Sequence, residues 1–308
     1  QGHEKGIGLE VFLKSCLFQT QKNLDHILLV TFKTSLEATL HSLQYPYAIE
    51  KNKLKISDLF INCHFLKSKR FSESLTSLEE SLNIMNTNKD ILLTLPTSKD
   101  QFAKSSGHTE FLRQHYQKDD LTMFFSSPDL NVLLLTDHVP VCHLSSILTK
   151  DFIFSKLKTS LETLMNWQWP LEQILISGLN PHCGENGLIG DEDPKIIEAK
   201  NKIQSFFKKK VKNPKNFIIK GPFSGDSLIF EKKSKNDLLI YLFHDQGLGV
   251  FKSLEGFIGS NITLGLPYPR LSPDHGTSFT LFGKNQADFR GCEYTLNLAI
   301  KLNNRYVT

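Results

Sequence analysis

Residues 174–182 have the sequence Ile174-Leu175-Ile176-Ser177-Gly178-Leu179-Asn180-Pro181-His182, an apolar run followed by a turn and a histidine. A short continuous apolar run bounded by turn residues predicts a strand covered on both faces, as in parallel sheets. Four more runs have this character and predict further strands: residues 27–30, 91–95, 132–135 and 238–242.

Between these runs the apolar residues follow helical spacing. The pattern predicts helices over residues 152–167 and 194–209, the second capped by Asp193 with Pro194 at its first position. Strands that alternate with helices are typical of a layered α/β fold.

Three of the predicted strands are each followed by a histidine. These are His138, His182 and His244, which come after residues 132–135, 174–176 and 238–242. The carboxyl ends of strands line the ligand crevice in open α/β sheets. We therefore predict that the three imidazoles converge on one divalent cation. A single histidine after a strand is more often a surface residue, but the glycines near His182 and His244 favour close approach to a ligand.

A second group of residues has the character of an anion site. Gly107-His108-Thr109-Glu110 precedes a predicted helix, whose first N–H groups would hold a phosphate. Capping of this helix by Thr109 is the alternative. Lys252, Asn261 and Arg270 lie in or beside a glycine-rich stretch and supply further anion-binding side chains, although each alone is more often exposed.

The composition excludes several classes of protein. Of 308 residues, 40% are hydrophobic and 22% charged, with a net charge of +4, which does not favour nucleic acid. The lysines at 208–210, 212 and 215 are interpreted as a solvated helix end. No apolar run approaches the roughly 20 residues of a membrane span. Five scattered cysteines without a CxxC pair predict reduced thiols in a cytoplasm.

Two features concern the start of the chain and the cofactor. Gln1-Gly2-His3 is typical of a turn, so we expect a strand to precede it. Gly6-Ile7-Gly8 lacks the third glycine of a dinucleotide fingerprint, and no GxGxxG motif opens a βαβ unit.

Several segments together resemble the 4-phosphohydroxy-threonine (4-hydroxythreonine-4-phosphate) dehydrogenases. They are Ser177 to Glu185, Phe243 to Leu248, Asn261 to Thr277, Gly107 to Leu112 and Thr136 to Pro140. The similarity runs in order from Gly6 to Ala299, nearly the whole chain.

The resemblance implies a two-domain α/β/α architecture like that of isocitrate and isopropylmalate dehydrogenases. The domains would be residues 1–104 with 264–308, and residues 105–263, with the active site in the cleft between them. The enzyme would be a homodimer that oxidises 4-phosphohydroxy-L-threonine with NAD or NADP and a divalent metal (zinc, magnesium or cobalt). The β-keto acid product would lose carbon dioxide to give 3-amino-2-oxopropyl phosphate, in pyridoxal 5'-phosphate biosynthesis.

The resemblance also implies roles for individual residues. His138, His182 and His244 would hold the metal, with His244 reaching a site built mainly by the other subunit. Asp226 would be an acid beside the metal, and with His182 it forms the predicted catalytic pair. The substrate-binding residues would be His108, Thr109, Lys252, Asn261 and Arg270.

The sequence departs from the family pattern around the matched residues. Leu188 replaces a usual histidine, Gly249 replaces a proline, and Thr97-Ser98-Lys99 ends an altered segment. Oxidation of another four-carbon phosphorylated acid, threonate or erythronate 4-phosphate, therefore remains an alternative. A metal-dependent hydrolase and a non-catalytic binding protein are the alternatives of a different class.

Overall fold

A computed structural model describes residues 1–102, 105, 107–210 and 218–306. The chain forms two compact units, Gln1–Gln117 with Pro267–Thr308, and Lys118–Leu266. The domain boundaries that the sequence analysis placed at 104/105 and 263/264, and the active-site cleft between those domains, remain predictions. Lys212 and Lys215 lie outside the described residues. In the described part of the chain, no helix has the length and apolar character needed to span a membrane.

The first unit begins with helices and strands that alternate along the chain. Its helices are α1 (Gly8–Cys16), α2 (Gln21–Leu24), α3 (Lys33–Leu43), α4 (Glu73–Ile84) and α5 (His108–Tyr116). Its strands are β1 (Leu28–Phe32), β2 (Tyr47–Glu50), β3 (Lys53–Ile56), β4 (Leu59–Leu66) and β5 (Leu92–Leu93). The order β1-β4-β3-β2 defines one sheet, in which β1 and β4 are parallel and β2, β3 and β4 are antiparallel.

Among the described residues, the second unit contains six strands and four α-helices. Its strands are β6 (Thr122–Ser126), β7 (Asn131–Leu134), β8 (Ile174–Ser177), β9 (Ile219–Phe223), β10 (Leu238–Tyr241) and β11 (Ser260–Leu264). Its helices are α6 (Leu144–Ile147), α7 (Lys150–Asn166), α8 (Asp193–Lys208) and α9 (His244–Glu255). Within this unit the strand order is β11-β6-β7-β10-β8-β9.

The last part of the chain returns to the first unit. It contributes β12 (Arg270–Pro273), which pairs in parallel with β5, and α10 (Arg290–Tyr306). The core of this unit includes Leu13 and Leu36, and the buried Cys292 of α10 packs into the same cluster. Residues from both ends of the chain therefore stabilise one unit.

The continuous apolar runs form the strands that their pattern predicts. Every residue of β7, β8 and β10 is buried, because helices of an α/β fold cover both faces of such a sheet. All three strands are parallel to their neighbours in the row β7-β10-β8. The predicted α/β class and parallel strands are confirmed.

Two local features differ from the sequence-based predictions. The antiparallel strands β6 and β11 and the β2–β3 hairpin were not predicted. Every residue of β6 is buried, so its sequence lacks the alternation of apolar and polar residues that is typical of antiparallel strands. Helix α8 begins at Asp193, so the prediction that Asp193 caps it is wrong. The cap position belongs to Glu192, whose carboxylate makes other hydrogen bonds.

Candidate functional site

Three parallel strands end at the same level in the second unit. β10 lies between β7 and β8, and Tyr241 of β10 is opposite Leu134 of β7. On the other side, Ile240 is opposite Ile176 of β8. Because the strands are in register, the three loops that carry the histidines leave the sheet from the same edge.

Hydrogen bonds beyond the strand ends bring two of these loops together. The Thr136 N–H donates to the Leu242 carbonyl at 3.1 Å, and the Thr136 hydroxyl donates to the same carbonyl at 2.8 Å. His138 and His244 each follow two residues later, and their ring centroids are 5.5 Å apart. Two imidazoles that bind one tetrahedral zinc ion through nitrogens have centroids about 5–6 Å apart. The spacing of this pair therefore fits a shared cation.

A carboxylate accompanies two of the histidines. His244 Nδ1 lies 2.7 Å from Asp245 Oδ1, and His182 Nδ1 lies 2.7 Å from Glu185 Oε1. A carboxylate at Nδ1 holds the proton there and leaves the Nε2 lone pair to bind a metal. The His182 side chain is 69% exposed and that of His244 is 31% exposed, so both are accessible.

The loop after β8 has an uncommon backbone conformation. His182, Cys183, Glu185 and Asn186 all have positive φ, between 44° and 56°. Residues other than glycine are disfavoured in this left-handed region, at a cost of about 1–3 kcal/mol each. Since strain of this kind persists only where surrounding contacts impose it, the conformation of the His182 loop depends on its neighbours.

Gln246 connects the ends of β8 and β10, and the sequence analysis did not single it out. Its Oε1 accepts from the Leu242 N–H at 3.0 Å and from the Ser177 hydroxyl at 3.2 Å. Its Nε2 donates to the Gly178 carbonyl at 2.9 Å. Its position directly after His244-Asp245 is the signal that could have identified it.

The structure brings the rings of His138 and His244 together. Across the described ranges, no group of three or more His, Cys, Asp or Glu side chains is arranged to hold a metal ion. The three-histidine site therefore stays a prediction. The imidazole chemistry and the spacing of the His138–His244 pair nevertheless fit two ligands of a divalent cation.

The other predicted residues of the second unit lie on three different elements. Asp226 is exposed in the turn after β9, and burial together with the carboxylates of Asp193 and Asp226 raises the pKa of Cys183. Asp226 is thus close to the residue that follows His182. Lys252 lies on α9, eight residues after His244. Asn261 lies on β11, and its Oδ1 is buried without a hydrogen-bond partner among the described atoms.

The first unit holds a buried cation beside a neutral imidazole. Arg270 begins β12, is 3% exposed, and donates from Nη2 to the Thr94 hydroxyl at 2.6 Å. Burial lowers the pKa of Arg270 to about 10, so the guanidinium is charged at neutral pH. Burial, and next the charge of Arg270, lower the pKa of His108 well below 6.5. The cluster of Arg270, His108 and Thr94 therefore combines a fixed positive charge with neutral polar groups.

Helix α5 begins at His108, next to this cluster. Its cap residue is Gly107, which has a φ of 132° and therefore a conformation that favours glycine. Gly107 has no side chain that could bond to the helix, and Thr109 occupies the second helical position. The alternative in which Thr109 caps the helix is therefore wrong. An anion would complete the hydrogen bonding of such a helix start.

The neutral state of His108 predicts that stability falls in acid. Its folded pKa is lowered, so the unfolded chain binds the proton more readily, and the free energy of unfolding decreases as the pH falls below 6.5. The slope is at most about 1.4 kcal/mol per pH unit. His108→Gln removes this contribution, and denaturant unfolding at pH 7.0 and pH 5.5 measures it. Equal losses of stability in the wild type and the variant would contradict the prediction.

The described residues thus form an α/β protein with a buried cluster of Arg270, His108 and Thr94 in one unit, and a pair of His138 and His244 at the ends of parallel strands in the other. The sequence model described as pyridoxal phosphate biosynthetic protein PdxA matches residues 14–299, and the chain belongs to this family. The resemblance inferred from the sequence is confirmed.

Curated relatives carry dehydrogenase names. The chain is 38% identical over 206 residues to 4-hydroxythreonine-4-phosphate dehydrogenase of Zymomonas mobilis, covering 64% of this chain and 59% of that protein. It is 29% identical over 318 positions to the enzyme of that name from a Sulfurihydrogenibium species, covering 98% and 96%. It is 34% identical over 233 residues to a provisionally named D-threonate 4-phosphate dehydrogenase of Oceanobacillus iheyensis, covering 73% and 68%. The first of these matches spans less than two thirds of the relative.

Solved structures agree with the fold. A 4-hydroxythreonine-4-phosphate dehydrogenase of Burkholderia phymatum has a TM-score of 0.73 at 25% identity, covering 98% of this chain and 96% of that one. A β-decarboxylating dehydrogenase of Thermococcus kodakarensis has a TM-score of 0.52 at 10% identity, covering 89% and 82%, which is a similarity of fold alone. The predicted architecture is confirmed, and so is the dehydrogenase class at the level of the family. This class implies a nicotinamide cofactor.

Proposed function

We propose that this protein oxidises 4-phosphohydroxy-L-threonine with NAD or NADP, assisted by a divalent metal, in pyridoxal 5'-phosphate biosynthesis. The observation that carries the proposal is the His138–His244 pair, 5.5 Å between ring centroids, at the carboxyl ends of parallel strands. The product is a β-keto acid, which loses carbon dioxide to give 3-amino-2-oxopropyl phosphate.

The buried Arg270 and His108 support a substrate with negative charge. A guanidinium binds a phosphate or carboxylate through two parallel hydrogen bonds. The pKa of His108 is well below 6.5, so at neutral pH its imidazole is uncharged and would donate one hydrogen bond to the substrate. With Thr109 at the start of α5, and with Lys252, these groups anchor the substrate and orient its carbon–hydrogen bond.

The buried Asn261 Oδ1 supports recognition of a donor group on the substrate. A buried acceptor without a partner is costly, and a ligand hydroxyl or ammonium would satisfy it. Both groups occur in 4-phosphohydroxy-threonine. Asn261 therefore orients the end of the substrate opposite the phosphate.

His138, His182 and His244 are the proposed metal ligands, with zinc, magnesium or cobalt as the ion. When bound, such an ion supplies a Lewis acid that lowers the pKa of the substrate hydroxyl and stabilises negative charge. The carboxylates of Glu185 and Asp245 orient His182 and His244. Asp226, in the turn near Cys183, is the proposed acceptor of the hydroxyl proton.

The proposal includes a homodimer with shared active sites in a cytoplasm, without nucleic acid or membrane as a partner. The resemblance implies that His244 reaches the site of the other subunit. The 5.5 Å between the His138 and His244 rings of one chain instead supports a site that takes both histidines from the same chain, and the experiment with mixed subunits distinguishes the two arrangements. All five cysteines are free, and three of them are buried, which supports a reducing compartment.

The test of this function is a panel of phosphorylated acids. We expect kcat/KM with 4-phosphohydroxy-L-threonine to exceed that with D-threonate 4-phosphate or D-erythronate 4-phosphate by at least about tenfold. NAD(P)H absorbance measures turnover, with each of the three metals and with a chelator. 4-Hydroxy-L-threonine, which lacks the phosphate, is the control and should react far more slowly than 4-phosphohydroxy-L-threonine. Phosphate release without NAD(P)H formation would instead indicate a hydrolase.

Oxidation of D-threonate 4-phosphate is the second candidate. The similarity to the relative from Oceanobacillus iheyensis favours it, since that protein carries the corresponding name. The two substrates differ at carbon 2, where threonate has a hydroxyl instead of an amino group. A higher kcat/KM with threonate phosphate in the same panel would replace the first assignment and retain the dehydrogenase chemistry.

A further inference from the structure

A buried carboxylate joins the His182 loop to the region after β7. Glu192, at the cap position of α8, is 6% exposed. Its Oε2 accepts from Asn180 Nδ2 at 2.5 Å, and its Oε1 accepts from the Ser145 hydroxyl at 2.5 Å. Asn180 precedes His182 by two residues, and Ser145 lies on α6, which follows the His138 turn. One side chain thus contacts the segments that carry two of the three histidines.

A side chain at residue 190 would clash with the hydrogen-bonded groups of Asn180 and Glu192. A Cβ at residue 190 would lie 1.9 Å from Asn180 Nδ2 and 2.7 Å from Glu192 Oε2. Gly190 therefore permits the hydrogen bond between Asn180 and Glu192, since any side chain would separate the two groups. The loop is closed on itself as well, because the Ile189 N–H donates to the Gly184 carbonyl at 3.0 Å.

The conformation of the His182 loop gives this contact its importance. Four non-glycine residues between 182 and 186 are left-handed, and such a run relaxes unless contacts on both sides restrain it. Asn180 and Glu192 bracket these residues in the chain. The hydrogen bond between them therefore fixes the distance between the two ends of the loop.

The charge of Glu192 suits this role. The hydrogen bond from Ser145 is the largest of the effects that lower the pKa of Glu192, and Asn180 adds to it. Glu192 is therefore a carboxylate at neutral pH, and hydrogen bonds to a charged acceptor are stronger than those to a neutral one.

We propose that Glu192 is a positioning residue, which holds the left-handed His182 loop against α6 and so presents the imidazole at the end of β8. The inference rests on the proposed function, because it takes His182 to be a metal ligand. Glu192 itself contacts neither substrate nor metal in this proposal. It acts through Asn180 and the backbone of the loop.

The test measures loop dynamics and metal binding separately, on the full-length protein. In Glu192→Ala we expect faster amide hydrogen exchange in peptides covering residues 182–189, and cobalt affinity about 10- to 100-fold weaker by titration calorimetry of the metal-free protein. Gly190→Ala should give the same two changes, since it breaks the same contact from the other side. Glu192→Gln retains an acceptor for Asn180 and a donor for Ser145, and should restore most of both.

The controls separate this proposal from the proposed function. Glu198→Gln, on an exposed face of α8 where Glu198 pairs with Lys150, should change neither readout. Unchanged exchange of residues 182–189 in both Glu192→Ala and Gly190→Ala would overturn the positioning role, even if the wild type binds cobalt. A wild type that binds no cobalt would overturn the metal site, while the exchange contrast still decides the role of Glu192. If Glu192→Ala does not fold, Gly190→Ala and Glu192→Gln decide the question.

Discussion

Replacing His244 with alanine is expected to lower kcat/KM for NAD(P)+ reduction on the order of 10³-fold or more. The ring centroids of His244 and His138 lie 5.5 Å apart, and Asp245 contacts Nδ1 of His244, which leaves Nε2 as the nitrogen that would bind the metal. Loss of one of three ligands weakens the metal and its effect on the substrate hydroxyl. Elemental measurement of the purified protein should show less bound metal in the variant, and steady-state assays give the rate.

His143→Ala is the matched control, because His143 is an exposed histidine of the segment that follows His138. It should retain metal content and turnover near those of the wild type. A His244→Ala variant that keeps its metal and its rate would refute the metal site. Wild-type turnover in the presence of a strong chelator would refute it independently.

Mixed subunits test whether the site is shared. If His244 serves the site of the other subunit, a dimer of one His138→Ala chain and one His244→Ala chain contains one site with both histidines intact. Random reassociation of equal amounts should then recover about a quarter of the wild-type activity, since half of the dimers are mixed and each has one such site. No recovery would place His138 and His244 in the same chain's site.

Replacing Arg270 with methionine is expected to lower kcat/KM on the order of 10²- to 10³-fold, mainly through KM. The guanidinium is buried and charged, and methionine retains most of its apolar volume while it removes two charge-assisted hydrogen bonds to an anion. The melting temperature should stay the same or rise, because an apolar side chain avoids the cost of burying a charge. Activity and stability would thus change in opposite directions.

Thr94 provides a graded control for Arg270. Thr94→Val removes the hydroxyl that accepts from Arg270 Nη2 at 2.6 Å, and should raise KM by a smaller factor, about three- to tenfold. Thr94→Ser keeps the hydroxyl and should restore the wild-type KM. An Arg270→Met variant with unchanged KM would contradict the anion site. A variant that loses activity because it does not fold would show itself in the melting curve.

Much of the fold could be predicted because the information is local. The apolar runs at 132–135, 174–176 and 238–242 form β7, β8 and β10, since a short apolar run bounded by turn residues favours a strand with cover on both faces. The direction of β6 and the β2–β3 hairpin could not be predicted in this way. Both depend on which strand lies alongside, and the burial of β6 is the same on both faces.

The candidate site was predicted by residue type but not by contact. His138, His182 and His244 follow strands, and this spacing indicates one edge of a sheet whatever the loops do. That His138 approaches His244 depends on the register of β7 and β10, which the sequence does not show. Gln246, Thr94 and Glu192 were missed, because a polar side chain reveals its role only through the distant group that it contacts.

The amino-acid sequence alone determined the α/β class, the positions of the main strands and helices, the family, and the residue types available for binding anions and a cation. These follow from periodicity and from short motifs, which act over a few neighbouring residues. The tertiary structure alone decided that burial and the charge of Arg270 lower the pKa of His108, that His138 lies beside His244, and that Glu192 joins Asn180 to Ser145. These contacts link residues far apart in the chain, and their geometry and burial exist only once the strands have paired and the core has closed.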